Sequence, residues 1–189
     1  MARKQLCSII LCAVIVTQAG PTGMHSSRLP NIKQFYSTRQ PIWTLQTTER
    51  TVYTCKVDVL LTMATCSVHF ERLYYWHIAK VNNSMQGLFQ KLEDTGKNSV
   101  HFNAMMVRVA KIIYTDTERL LYESTDGKCG VFLVSSISRS KHYELRVWNV
   151  SVNHVDNKCL DHFRSMAWKA KQLTKASYND TCQAILRRK

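Results

Sequence analysis

The fold is decided by residues 120–135, which read LLYESTDGKCGVFLVS. The pattern predicts one strand over 120–124 and another over 131–135, because both segments are short and rich in β-branched or aromatic residues. Serine, aspartate and glycine separate them, as expected for a turn. Two strands joined by so short a connection indicate antiparallel pairing.

The same pattern extends in both directions along the chain. Further strands are predicted at 52–59, 67–76, 85–92, 100–107, 109–115 and 142–150. Seven or eight such segments in about a hundred residues, with no long helical pattern between them, indicate an antiparallel barrel or sandwich.

One amphipathic helix follows the strands, at about 156–172. Asp156 is its predicted N-cap. Apolar residues recur on one face at three- and four-residue spacing, namely Leu160, Phe163, Ala167 and Ala170. A last short strand is predicted over 178–185. This order of elements predicts an all-β fold with one C-terminal helix. The expected architecture is an eight-stranded antiparallel lipocalin β-barrel with the helix packed outside. Closure of about eight strands leaves room inside the barrel for one small ligand.

The N-terminus has the pattern of a secretory signal peptide. Arg3 and Lys4 precede an apolar run over 6–17, and cleavage is predicted after Ala19. Residues 20–42 contain all three prolines and are predicted to be an irregular leader with one short helix, followed by a barrel domain over 43–189. The run is too short to span a bilayer and no later stretch is long enough, so we expect a secreted, extracellular protein without a membrane segment.

Five cysteines remain after the predicted cleavage: Cys55, Cys66, Cys129, Cys159 and Cys182. In an oxidising compartment they should form two disulfides and leave one thiol. Five choices of the unpaired cysteine and three pairings of the other four leave fifteen schemes open. Glycosylation sequons at Asn82, Asn149 and Asn179 are consistent with export.

The chain is strongly basic. Its formal charge of +13 falls to +11 on cleavage, because Arg3 and Lys4 leave and no acid does. Such a balance favours glycosaminoglycans, anionic membranes, nucleic acid or anionic ligands. A merely solvated basic surface is the alternative, and the scattered cations leave both open. With no nucleic-acid motif and an extracellular location, we expect no nucleic-acid partner. With no stretch long enough to span a bilayer, we also expect no membrane partner.

Several motifs together resemble one family. They are Pro41–Thr44 with Thr47-Thr48 and Thr54–Asp58, then Tyr122–Phe132, Tyr143–Trp148, Cys159-Leu160 with Phe163, and Tyr178 before Cys182. In this order they are similar to the salivary lipocalins of hard ticks, the tick histamine-binding proteins, over residues 41–183. The resemblance implies disulfides Cys55–Cys182 and Cys129–Cys159. Cys66 is then the free thiol, either buried or available as an intermolecular handle.

The resemblance also implies a function. Such lipocalins bind histamine or serotonin in some cases, leukotrienes, thromboxane or cholesterol in others, and complement in a few. We therefore expect a monomer that sequesters host histamine or another biogenic amine in its barrel and so suppresses host defence. An eicosanoid or fatty-acid-like lipid is the first alternative. A protein-binding module that targets complement or coagulation factors is the second.

Glu144 matches an acidic ligand-binding position of the amine binders, in the Tyr-Glu-Leu motif. The position after the matched cysteine is acidic in those proteins but is Gly130 here, which argues against a second amine site. Arg146 replaces a tryptophan and would favour a carboxylate-bearing lipid. Because alternate residues share a face, Glu144, Arg146 and Trp148 face the cavity together, or else they all face solvent.

Aromatic residues on other predicted strands are further candidates for ligand contact: Tyr74, Phe102, Tyr114 and Phe132. Trp43 is predicted to fill the closed end of the barrel. The seven histidines show no metal-ligand spacing, and the chain has no nucleophile elbow, phosphate-binding glycine loop or Cys-x-x-Cys. We therefore expect no enzyme activity, no metal and no cofactor.

Overall fold

Eight antiparallel strands close into a barrel in the computed structural model, which describes residues 29–92, 101–109, 115–138 and 140–187. The strands are β1 Ile42–Thr47, β2 Tyr53–Met63, β3 Ser67–Trp76, β4 Ala79–Gln90, β5 Ala104–Val109, β6 Thr115–Glu123, β7 Cys129–Ser135 and β8 Lys141–Trp148. Each pairs with the next, and β1 pairs with both β8 and β2, which closes the sheet. The predicted eight-stranded barrel is confirmed.

Short helices and one short strand complete the described chain. Helix α1 spans Ile32–Tyr36, helix α2 spans Asn157–Lys169, and strand β9, Lys175–Ala176, pairs with β1. Two 3-10 helices cover Asn149–Ser151 and Asp180–Leu186. None of the described helices is long and apolar enough to cross a bilayer. The predicted signal peptide, 1–19, lies outside the described residues.

Strand alternation divides the apolar side chains between two cores. The closed-end core lies inside the barrel, where α1 fills one end; it contains Ile32, Phe35, Tyr36, Ile42, Val68, Phe70, Met85, Phe89, Met105, Val107, Leu120 and Phe132. The outer core lies between the barrel wall, α2 and the C-terminal 3-10 helix; it includes Trp43, Val57, Leu145, Val147, Phe163 and Ile185. Both faces of β8 are therefore buried.

Trp43 belongs to the outer core, so its predicted position at the closed end is wrong. Its neighbours Ile42 and Thr44 point into the barrel, so alternation turns the indole outward. There Nε1 donates a hydrogen bond to Asn149 Oδ1 at 2.8 Å, and the ring meets Tyr178 edge-on at 4.9 Å between centroids. The closed end is filled by α1 instead.

Three predicted strands, 100–107, 109–115 and 178–185, differ from the structure. Strand β5 continues through the break predicted at residue 108 and ends at Val109, and β6 begins only at Thr115. The strand predicted over 178–185 is the 3-10 helix Asp180–Leu186, because Asn179 Oδ1 accepts the Thr181 N–H and caps it. Asp156 caps α2 as predicted, accepting the Cys159 N–H at 2.7 Å.

Both implied disulfides are present, Cys55–Cys182 and Cys129–Cys159. The first fastens β2 to the C-terminal 3-10 helix, and the second fastens β7 to the first turn of α2. Cys66 belongs to neither and is exposed in the turn between β2 and β3. The buried-thiol alternative is therefore wrong, because this turn lies outside both cores.

We expect the two disulfides to contribute unequally to stability. They span sequence separations of 127 and 30 residues. On loop-closure entropy, loss of the first should cost about 5 kcal/mol and loss of the second about 3.5 kcal/mol. Urea unfolding of Cys55→Ser/Cys182→Ser and Cys129→Ser/Cys159→Ser measures the difference. An equal or larger loss from the second pair would contradict this entropic ranking.

Candidate ligand-binding site

A layer of ion pairs crosses the interior of the barrel at mid-height. This ion-pair layer consists of Lys56 and Asp58 on β2, Arg72 on β3, Glu118 on β6, and Glu144 and Arg146 on β8. It holds three cations and three carboxylates, so its charges balance. All six side chains point inward, on strands that meet only in the closed barrel.

The pairs within the layer are short and continuous. Arg72 holds Asp58 with two hydrogen bonds of 2.7 Å and reaches Glu118 Oε1 at 2.9 Å. Arg146 binds the other Glu118 oxygen and donates from Nε to Glu144 Oε2 at 2.7 Å. Lys56 Nζ completes the chain with a 2.6 Å contact to Glu144 Oε1.

The aromatic groups of the closed-end core support the layer from below. Arg146 lies over the Phe132 ring, 4.4 Å from its centroid, and donates a 2.7 Å hydrogen bond to the Tyr36 hydroxyl. That hydroxyl in turn donates to Asp58 at 2.9 Å. Helix α1 is thereby joined to the charges above it.

The layer shifts the titration of its acids. Burial alone would raise the pKa of Glu118, but the charges of Arg146 and Arg72 hold it well below the usual range. Burial opposes ionisation of Glu144 as well, and Arg146 and Lys56 lower its pKa too. Both carboxylates are therefore ionised in the folded protein at neutral pH.

Of the two orientations left open by the sequence, the structure has Glu144 and Arg146 inside the barrel. Arg146 is only 1% exposed, although it is charged. Residues Tyr143, Leu145 and Val147 face the outer core instead. Contact of Glu144 or Arg146 with a ligand stays a prediction, since each is already engaged by other layer members.

Three other predicted ligand residues lie at the closed end. Trp148 donates from Nε1 to the Phe35 carbonyl at 3.1 Å. Phe132 is fully buried, and Phe102 packs beside Phe89 at 5.7 Å between ring centroids. Their contact with a ligand also stays a prediction, and their present partners are core side chains.

Gly130 also lies in this packed half. A Cβ there would approach Leu120 Cδ1 to 2.8 Å and Phe35 Cε2 to 3.1 Å. These distances leave no room for the acidic side chain that the amine binders carry after the matched cysteine. The absence of an acid at position 130 therefore agrees with the filled interior.

Above the ion-pair layer the barrel opens into a cup of about 220 Å³. Its lining consists of Glu49, Tyr53, Lys56, Arg72, Tyr74, Asn83, Met85, Val109, Asp116, Val134 and His142. Ligand sites usually measure about 300–1,000 Å³, so this one suits a small guest. Tyr74 is in the lining, and its contact with a ligand stays a prediction. Tyr114 lies outside the described residues.

Two carboxylates of the cup were missed by the sequence analysis. Asp116 has no ion-pair partner among the described residues, and burial followed by the charge of Glu118 raises its pKa. Glu49 Oε2 lies 3.8 Å from His142 Nε2. Asp116 lies two residues before Glu118 on β6, so alternation would have placed both acids on one face.

Two tyrosines form one wall of the cup. The rings of Tyr53 and Tyr74 lie 4.7 Å apart between centroids. Asn83 Nδ2 donates to the Tyr74 hydroxyl at 3.3 Å. Carboxylates beside aromatic rings can bind an organic cation through charge and through the faces of the rings.

Glu49, His142 and Glu144 have ligand atoms within 4.8 Å of one another, the grouping of a possible metal site. However, Lys56 Nζ already contacts Glu144 Oε1, the same oxygen that lies 3.2 Å from His142 Nε2. An ammonium group at this point repels a metal ion. The cluster is better described as part of the cup wall.

We expect Glu118→Gln to destabilise the protein by about 3–5 kcal/mol, because it leaves Arg72 and Arg146 buried with too little negative charge. Urea unfolding measures this loss. Glu71→Gln is the control. Glu71 lies next to Arg72 on β3 but on the outward face of that strand, so its substitution should change stability by less than about 0.5 kcal/mol. Equal effects of the two substitutions would show that the layer contributes nothing specific.

Acid should unfold the protein through the same layer. A carboxyl whose pKa is lower in the folded than in the unfolded protein binds its proton more readily when the chain is unfolded. Its contribution to folding stability is therefore complete above the unfolded pKa of about 4.3 and is lost progressively as the pH falls below that value. Stability should therefore fall as pH drops below about 4.3. Unfolding free energies measured across this range should fall less steeply for Glu118→Gln than for the unmodified chain.

Comparisons with known proteins identify the family and the fold of this chain. The sequence model of the family described as tick histamine binding protein matches residues 34–184. A search of curated proteins gives no match.

Solved structures with the same fold include a dog lipocalin allergen (9% identity, 74% of this chain and 92% of that chain, TM-score 0.50). The siderocalin Ex-FABP, described as functioning through dual ligand specificities, is 10% identical, and the match covers 71% of this chain and 87% of that chain with a TM-score of 0.50. The bovine lipocalin allergen Bos d 2 is 6% identical, and the match covers 80% of this chain and 97% of that chain with a TM-score of 0.50. At such identities these likenesses show the fold alone. The family match decides the assignment: this chain belongs to the tick histamine-binding protein family and is a ligand-binding lipocalin, not an enzyme.

Proposed function

We propose that the protein scavenges a small biogenic amine, which is held in the cup above the ion-pair layer. One observation carries this proposal. The three acids of the layer are matched by three cations, whereas Asp116 and Glu49 are additional acids of the cup. Among the described residues that line the cup, His142 is the one basic group outside the layer. An amine cation would supply the missing charge.

The surroundings of these two acids suit such a guest. The ammonium group would lie against Asp116 and Glu49, and its organic part against Tyr53 and Tyr74. Asp116 is exposed at the rim of the cup, so its carboxylate is accessible to an incoming cation. A volume of about 220 Å³ limits the guest to a single small ring system with a short side chain, as in histamine or serotonin.

Glu144 and Arg146 act in this proposal as positioning residues. Arg146 fixes Glu144, and Glu144 fixes Lys56, which forms part of the cup floor. Without this chain the Lys56 ammonium would be free to pair with Asp116 or Glu49 and compete with the guest.

The lipid alternative is less well supported. Arg146, the residue that would hold a lipid carboxylate, already binds Glu118 and Glu144. The packed closed-end core occupies the space that a long apolar tail would need. The amine proposal therefore ranks first, and a complement or coagulation target becomes the leading alternative if no small mediator binds.

Several features support secretion as part of the proposal. Two disulfides fit an extracellular protein. The sequons at Asn82 and Asn179 are exposed, whereas Asn149 is half-buried, with its Oδ1 held by Trp43 and Gln183. A monomeric scavenger in tick saliva would suppress host defence by stoichiometric capture of the mediator.

Calorimetric titration with histamine, serotonin and a leukotriene tests the proposal. We expect an amine to bind and the leukotriene not to bind. Glu49→Gln should weaken amine binding about tenfold, since it removes a half-buried charge partner. Asp116→Asn should weaken it about threefold to fivefold, because the exposed carboxylate of Asp116 is screened by solvent. Asp161→Asn, on the exposed face of α2, is the control and should bind like the unmodified chain. Amine affinity unaffected by both cup substitutions would disprove this site.

Amine affinity should also depend on pH. Asp116 binds a cation only when ionised, and its pKa is raised, so affinity should be full at neutral pH and should fall as acidification protonates this carboxyl. Titrations at decreasing pH measure the effect. The decline should be shallower in Asp116→Asn, and an affinity that rises with acid would contradict the proposed charge pairing.

A further inference from the structure

Exposed apolar and basic side chains meet on one side of the open end of the barrel. This open-end patch consists of the exposed Val52, Trp168 and Leu173 together with the exposed Arg50, Lys169 and Lys171, and the half-buried Lys175 lies beside them. Trp168 is 84% exposed and Leu173 is 85% exposed, while Val52 is 48% exposed. Large apolar side chains this exposed contribute nothing to either core, so the fold itself does not require them.

The elements that carry the patch are fixed to the barrel. Gln172 accepts a 2.6 Å hydrogen bond from the Thr48 hydroxyl and donates to the Lys141 carbonyl at 2.8 Å. Lys175 Nζ also donates to the Thr51 carbonyl, which links β9 to the loop between β1 and β2. The end of α2 and this loop therefore present one preformed surface beside the cup.

The charge of the patch is predominantly positive. From His162 to Asn179 the chain carries four cations, Arg164, Lys169, Lys171 and Lys175, and no acidic residue. Glu49 borders the patch beside Arg50, Val52 and Leu173, and its carboxylate lies 3.8 Å from His142 in the cup. A partner for this surface must be anionic, and it must also accept a tryptophan and a leucine that project from the surface.

We infer that the open-end patch docks on anionic phospholipid membranes. Tryptophan is favoured at the headgroup level of a bilayer, and projecting apolar side chains enter its acyl boundary. Lysine and arginine beside them are attracted by anionic lipid headgroups. A sulfated polysaccharide would satisfy the cations but not Trp168 and Leu173. The inference differs from the sequence-based expectation of no membrane partner, and it does not depend on which guest the cup binds.

Docking in this way would hold the mouth of the barrel beside a cell surface. Neither Trp168 nor Leu173 lines the cup. The membrane contact and the guest site are therefore adjacent but use separate side chains.

Sedimentation with vesicles of the chain without its predicted signal peptide, residues 20–189, tests the inference. We expect binding to vesicles with about 30% phosphatidylserine and little binding to pure phosphatidylcholine, with weaker binding at about 0.5 M than at about 0.1 M salt. Trp168→Ser and Leu173→Ser should each lower the partition coefficient about tenfold. Arg50→Gln/Lys169→Gln should lower it about 25-fold.

Matched controls lie at the closed end. Leu61→Ser removes an apolar side chain that is 51% exposed, and Lys158→Gln removes a cation from the first turn of α2. Both should bind vesicles like the unmodified chain. The inference fails if the anionic vesicles are not bound, if the patch substitutions leave binding unchanged, or if the chain is retained by heparin and not by vesicles. Amine titration of Trp168→Ser should be unchanged, which separates this test from that of the cup.

Discussion

The contact between Arg146 and its two carboxylates determines what the rest of the barrel can do. Arg146 joins Glu118 to Glu144 in a fully buried position, and its guanidinium stacks on Phe132. Burial of one unpaired charge would be prohibitive, so these residues are stable inside the barrel only as a neutral set. The resulting layer separates a packed lower half from an open upper half. The open part of the barrel interior therefore ends at the ion-pair layer and does not extend to the closed end.

Strand alternation allowed much of the fold to be predicted. The repeated short segments and the helix capped by Asp156 predict a barrel with one outer helix. The strand break predicted at residue 108 is wrong because Arg108 lies on the exposed face of β5 and donates to Gln86 at 2.9 Å without interrupting the strand. Alternation could not exclude a strand at 178–185, where the cap formed by Asn179 favours a 3-10 helix. Helix α1 is only five residues long, and its effect comes entirely from where it packs.

The site was less predictable than the fold, for a physical reason. Strand β8 is buried on both faces, so hydrophobicity alone could not say whether Glu144 or Leu145 faces inward. The partners that make inward charges acceptable, Lys56 and Glu118, are distant in the sequence and meet β8 only after closure. The family resemblance pointed to Glu144, but the cup acids Asp116 and Glu49 become visible only once the layer below them is known to be neutral.

Cys66 provides an exposed, reactive thiol at one end of the barrel. Its exposed thiol lies in the β2–β3 turn at the end of the barrel opposite the cup, where Lys33 Nζ holds the Thr65 carbonyl at 2.9 Å. A fluorophore or a surface linker coupled to this sulfur would therefore attach without obstructing the mouth. Molecules immobilised in this way would all stand in one orientation with their openings facing the solution.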